Sequence, residues 1–167
     1  MHLLPRKTPS KKATAEAMFD RLKAFFGNPA GYHTRLPDAD ASHAMGALMV
    51  RAAKADASYL FEEIAMIDRI LAKRHNINPV AAAKLRAECE VLERVMPDTD
   101  DIATILEHAI STEEKEATLI ALWQVVFADG VKRPSEDALL HQIEAVLGVP
   151  PARALELQIE AQKDTRG

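Results

Sequence analysis

Residues 51–70 read "RAAKADASYLFEEIAMIDRI". A helix-like run stops on Ala55-Asp56, a short gap follows, and a second run starts beside Glu62 and Glu63. The same grammar returns at residues 124–143, "QVVFADGVKRPSEDALLHQI". With Asp56 aligned on Asp129, an offset of 73, five positions within residues 47–70 are identical: Ala55/Ala128, Asp56/Asp129, Glu63/Glu136, Ala65/Ala138 and Ile70/Ile143. Apolar positions also correspond, as in Met49/Leu122, Met66/Leu139 and Ile67/Leu140. Each copy reads as a helix, an Asp-bearing turn and a second helix. Two similar helical hairpins packed about a pseudo-twofold axis are therefore expected. An Asp at a helix C-terminus opposes the helix dipole. The start of the next helix offers N–H groups that lack intrahelical partners. A turn of about six residues can join the two, so Asp56 and Asp129 are expected to serve as acceptors for the helix that follows.

Working outward, the body reads as seven helices. The first runs from about Pro37-Asp38 to Asp56, with Met45, Leu48, Met49 and Ala52 as its stripe. The second covers about 61–74, with Ile64, Ile67 and Leu71. The third opens at Asn78-Pro79, a capping residue followed by proline at the first helical position, and Pro97 ends it. Its Leu85, Cys89 and Leu92 share a face, which makes Cys89 a small core residue rather than a reactive thiol. The fourth opens on Asp98, Thr99, Asp100 and Asp101, which suit a positive helix start. Ser111 and Glu114 give the fifth a capping-box pattern. Its run Leu119, Ile120, Leu122, Trp123, Val125, Val126, Phe127 is apolar almost all round, which predicts a central helix with Trp123 in the core. The sixth runs from Pro134 to Gly148 and the seventh opens at Pro150-Pro151, with Leu155 and Ile159.

Ahead of this body, residues 1–13 read as a basic flexible tail. Residues 14–36 read as a short helix and a linker. Met18, Leu22, Phe25 and Phe26 lie on one face of that helix, which is too short to stand alone and is expected to dock on the body. Residues 37–167 make the main domain. The chain is 48% hydrophobic but only 5% aromatic, so its core must rest on Ala, Leu, Ile, Val and Met, a helical composition. No segment alternates like a strand. The expected fold is all-α, a compact bundle of about seven to eight helices.

Charge is uneven. Residues 1–35 carry seven Lys/Arg against two acids, a net +5, which leaves −9 for the remainder of a chain whose total is −4. A basic arm on an acidic body makes nucleic-acid binding weak and electrostatic at most. No run reaches the roughly 18 apolar residues of a membrane span. No secretory apolar core follows the basic start, and the single cysteine, Cys89, excludes an internal disulfide framework. A cytoplasmic protein without membrane insertion is expected.

At "AKADASYLFEE", "FADGVKRPSEDALL" and "LGVPP", with the lead-in "MFDRLKAFFG", the chain resembles the TerB-like family, named for a tellurite-resistance protein. The resemblance spans roughly residues 17–160. It implies an all-helical domain with acids gathered near two turns, a divalent metal site, and a link to tellurite or other stress responses. Carried over residue by residue, the implied metal ligands are Asp56, Glu63, Asp129 and Glu136. The chain departs from the family pattern at Ala57, which replaces the turn glycine at a cost of about 1–2 kcal/mol if that position is left-handed. Leu60 and Phe61 replace polar residues. Lys132 and Arg133 bring positive charge where the family is usually acidic. These departures touch the metal implication more than the fold.

Hard cations need about six to eight oxygen ligands, and "DGVKRPSE" is not an EF-hand loop, since Val131 and Arg133 occupy its alternate positions. One turn cannot form a cage, whereas the two together would supply four carboxylates. The six histidines show no Cys/His or i, i+4 pairing, which argues against zinc. No "GxSxG" and no phosphate-cradling glycine loop is present. Asp98, Asp100 and Asp101 with Glu113, Glu114 and Glu116 read as solvated helix-start acids. No catalytic residue and no firm cofactor emerges beyond a divalent ion. The expectation is a binding or stress-associated module rather than an enzyme. Two alternatives remain: an enzyme whose site assembles only in three dimensions, and an adaptor that docks a partner by using its basic arm to reach nucleic acid or a membrane; a protein partner is also left open. The residues do not specify an oligomeric state.

Overall fold

The computed structural model describes residues 40–55 and 59–166. The chain divides into two units, Met1–Leu36 and Pro37–Gly167. The expected tail, N-terminal helix and linker, together with Asp56 and Ala57, lie outside the described residues.

Among the described residues there are seven α-helices, one 3-10 turn and no strand. The helices are α1 (Ala41–Lys54), α2 (Phe61–His75), α3 (Pro79–Val95), α4 (Thr99–Ala109), α5 (Thr112–Val126), α6 (Pro134–Leu147) and α7 (Pro151–Arg166), with the 3-10 turn at Phe127–Asp129. The all-α expectation holds, and the punctuation is largely as read. Asn78 caps α3 through a 2.8 Å bond from the Ala81 N–H. Asp98 caps α4, accepting from Asp100 N at 2.9 Å, and Ser111 caps α5, accepting from Glu114 N at 3.2 Å. Gly148 ends α6 in the left-handed region that a side chain would strain. The first helix is shorter than the expected run from about Pro37-Asp38 to Asp56: it spans Ala41–Lys54, and its cap is Asp40, which accepts from His43 N.

Two helices sit inside. α5 buries Leu119, Leu122, Trp123, Val125 and Val126, as its all-round apolarity requires. α1 does so as well, burying every residue from Ala44 to Val50 along with Ala52 and Ala53. It packs against α3, α4 and α5. A one-sided stripe was the expectation for α1. Its alanines and Gly46 are small enough to meet neighbours on the remaining sides. Gly46 faces Cys89 of α3 so closely that a Cβ there would lie 2.2 Å from Sγ. Cys89 is fully buried, which makes it the core residue expected.

The polar work inside this packing falls to Arg51, which is nearly buried. Its guanidinium donates to the carbonyls of Glu93 (2.7 Å), Met96 (2.5 Å) and Pro97 (3.2 Å). Glu93 is among the last four acceptors of α3, and Met96 and Pro97 follow directly at its end. Arg51 thus closes one helix terminus from the side of another.

Candidate functional site

The second Asp-bearing turn can be built from its backbone. α5 ends at Val126, the chain tightens through the 3-10 turn, and Gly130 reverses it at φ +80°. Asp129 Oδ1 then accepts from the N–H of Val131 at 3.0 Å, a bond made within its own turn. Asp129 Oδ2 takes Arg133 Nη1 at 2.7 Å. The start of α6 is satisfied by Glu136, whose Oε2 accepts from the Arg133 N–H at 3.3 Å. The expected cap therefore comes from within α6, and Asp129 does not supply it. Pro134 at the first helical position has no N–H to offer, so Arg133 N–H is the donor that needs an acceptor, and the third helical residue reaches back to it.

Glu136 is fully buried, and its Oε1 stands 3.5 Å from Arg133 Nη1 as an ion pair. Arg133 is thus placed between two carboxylates of its own turn. Charge that would otherwise call for an external cation is met by a guanidinium, and a divalent ion at Asp129 and Glu136 would have to displace it.

In the first copy, Asp56 lies outside the described residues. Glu63 is the third residue of α2, as Glu136 is of α6, and it too is fully buried. Leu60 stands where the second copy has Arg133 and makes no side-chain cap. Tyr59 supplies the local polar contact instead, donating to Glu90 of α3 at 3.0 Å, with Lys54 Nζ 5.6 Å above its ring. Burial, reinforced by Glu90, pushes the phenol well above its ordinary range. α2 packs against the 3-10 turn, so the helix that carries Glu63 and the turn that carries Asp129 are neighbours. Among the described residues no three His, Cys, Asp or Glu side chains converge as a metal-ligand group.

A second polar cluster was not legible in the sequence. Trp123, the core residue expected on α5, stacks on Phe127 at 5.6 Å and donates from Nε1 to Glu144 at 3.3 Å. Glu144 in turn holds His141 Nδ1 at 2.9 Å, and His141 Nε2 lies 3.2 Å from Asp137. The bond to Glu144, outweighing burial and aided by Asp137, raises the imidazole above its ordinary value. Lys132 Nζ sits 5.8 Å over the Trp123 ring. The signal available was the i, i+3 spacing of His141 and Glu144, which alone does not distinguish a surface pair from a network. Both ring nitrogens face carboxylates, so neither is directed at a reacting group. Cys89 is no better placed as a nucleophile: burial pushes its thiol up to about 12.

The acids expected as a solvated patch are partly tied into the fold. Asp100 Oδ1 accepts from Gln142 Nε2 at 2.9 Å, and Glu116 receives a two-pronged bond from Arg153 at 2.7 and 3.0 Å. No helix among the described residues is long and apolar enough to cross a membrane.

A small all-helical domain with a buried glutamate at the third position of two of its helices, one of them behind an acid-bearing turn, is the class that the described residues define. The family model of the tellurite resistance protein TerB matches residues 42–158, well over half of the chain, and the chain belongs to that family. Neither a curated protein nor a solved structure matches it significantly.

Proposed function

We propose that this chain is a non-catalytic TerB-family binding module of a stress response, tellurite resistance included, whose turn acids admit a divalent ion only weakly. The observation that carries the reading is the position of Arg133 between Asp129 and Glu136. A built-in cation satisfies the acids at rest, and an incoming ion must compete with it. The engaged imidazole of His141 and the buried, high-pKa thiol of Cys89 support a binding rather than a catalytic role. The family's description supports the link to tellurite.

Thermal melting in chelator, then in millimolar Mg²⁺, Ca²⁺ or Mn²⁺, tests the reading. A ligand of the folded state raises stability by about 2.7 kcal/mol at a hundred times its dissociation constant. The wild type is expected to shift slightly and Arg133→Gln to shift more, because the competitor is gone. Absence of any shift in both proteins would make the turns structural only.

A further inference from the structure

The exposed large hydrophobic side chains of the body fall mainly into two groups. Phe61, 79% exposed, stands at the mouth of an open groove of about 510 Å³ between α2 and α3, and Val80, 80% exposed, follows the groove residue Pro79. The groove is also lined by Ile64, Ala65 and Ala72, which with Phe61 and Asp68 fall at i, i+3, i+4, i+7 and i+11 along one face of α2. The second group is Leu155, 56% exposed, and Ile159, 44% exposed, one turn apart on α7.

The charges around the two groups are opposite. The acid inside the groove, Asp68, is neutralised by Arg86 at 2.6 Å, and Arg86 also holds Glu90 at 2.6 Å. That leaves Arg69 on the groove wall and Lys73 one turn further along α2, both exposed, as the rim, with Glu62 at the opposite end beside Phe61. On α7 the exposed apolar pair is flanked by Glu156 and Glu160. Glu156 is engaged by Arg153 at 2.7 Å, whereas neither Glu160 nor Arg69 has an ion-pair partner among the described residues. An amphipathic helix with acids beside its apolar stripe is the ligand that a basic-rimmed apolar groove fits, and α7 is such a helix.

We propose that the α2–α3 groove receives α7 of a second copy of this chain, with Leu155 and Ile159 against Phe61, Ile64 and Ala72, and Glu160 on Arg69. One helix in one groove is small beside the roughly 1,200–2,000 Å² of a stable interface. A reciprocal twofold dimer, in which each copy inserts α7 into the other, doubles the buried area and closes the assembly.

Sedimentation equilibrium of the full chain from micromolar to submillimolar concentration tests this. A concentration-dependent dimer is expected. Arg69→Glu and Glu160→Lys should each weaken it about tenfold, and the double variant should recover most of that loss. Phe61→Asp and Leu155→Asp should each leave a monomer with an unchanged helical signal, because both side chains are already exposed. A wild type that stays monomeric throughout would leave the groove to a partner of another kind and overturn the proposal. So would a dimer indifferent to Leu155→Asp, or a double charge reversal as weak as its parents.

Discussion

Gly46 of α1 and Cys89 of α3 meet at a distance that leaves no room for a side chain at position 46: an added Cβ would stand 2.2 Å from the sulfur and 3.0 Å from its Cβ. Neither group belongs to a flexible tip, so the helices themselves would have to part. Gly46→Ala is expected to destabilise the domain by about 1–3 kcal/mol, as overpacking does, despite the gain of about 1 kcal/mol in helix propensity. Cys89→Ala in the same chain should return part of that loss. Urea titrations of the two single variants and the double variant measure the coupling.

Arg51 is expected to be the costliest polar side chain to remove. Arg51→Ala would strand the carbonyls of Glu93 and Met96, both of which its guanidinium now satisfies. Each stranded buried acceptor costs about 1–3 kcal/mol. Arg51→Lys keeps the charge but cannot reach several carbonyls with a fixed fork, so it should recover less than half of the loss. A lysine variant as stable as wild type in denaturant would show that charge alone matters there.

Stability between mildly acidic and neutral pH should reflect three histidines, with His43 and His141 acting in one direction and His75 in the other. Burial lowers His43, but its bonds to Glu88 at 2.9 Å and Asp40 at 2.8 Å outweigh that and leave it raised above 6.5. Its contribution is therefore complete below the unfolded value and is lost as pH rises through the folded value. His75 is lowered by burial first and by Arg74 second; Asp40 opposes this by a smaller amount, and His43 lowers it slightly further. Its protonation disfavours the fold as pH falls through the unfolded value. His43→Gln should make stability rise with pH more steeply, and His75→Gln should do the reverse. Melting curves across that range that are identical for both variants would remove the assignment.

The second turn should separate its two acids. Glu136→Ala takes away the acceptor for Arg133 N–H and is expected to cost about 1–3 kcal/mol. Asp129→Asn retains an oxygen for Val131 N–H and loses only a partly exposed ion pair, about 1 kcal/mol or less. Asp129→Ala falls between them. Chemical denaturation in chelator reads the order, and an asparagine variant as damaged as Glu136→Ala would contradict the bonding described for the turn.

The sequence by itself determined most helix ends of the described body, those of α1 excepted, because caps, prolines and glycines act within a few residues of their own position. Asn78, Asp98, Ser111, Pro134 and Gly148 mark their boundaries for that reason. It determined α5 as an inner helix, since apolarity on all sides permits nothing else. It also carried the family resemblance through the two acid-bearing turns. It did not determine that α1 is equally internal, because small residues leave a weak hydrophobic signal and gain their burial only when a neighbour approaches closely, as Cys89 does at Gly46. The acceptors of Arg51 were illegible, since Glu93 and Met96 lie some 40 residues away and the bonds exist only once α1 and α3 have packed. The roles of Asp129 and Glu136 were likewise decided in three dimensions. Both residue types suit a helix start, and only the turn at Gly130, with Arg133 folded between the two carboxylates, fixes which one caps and which one pairs.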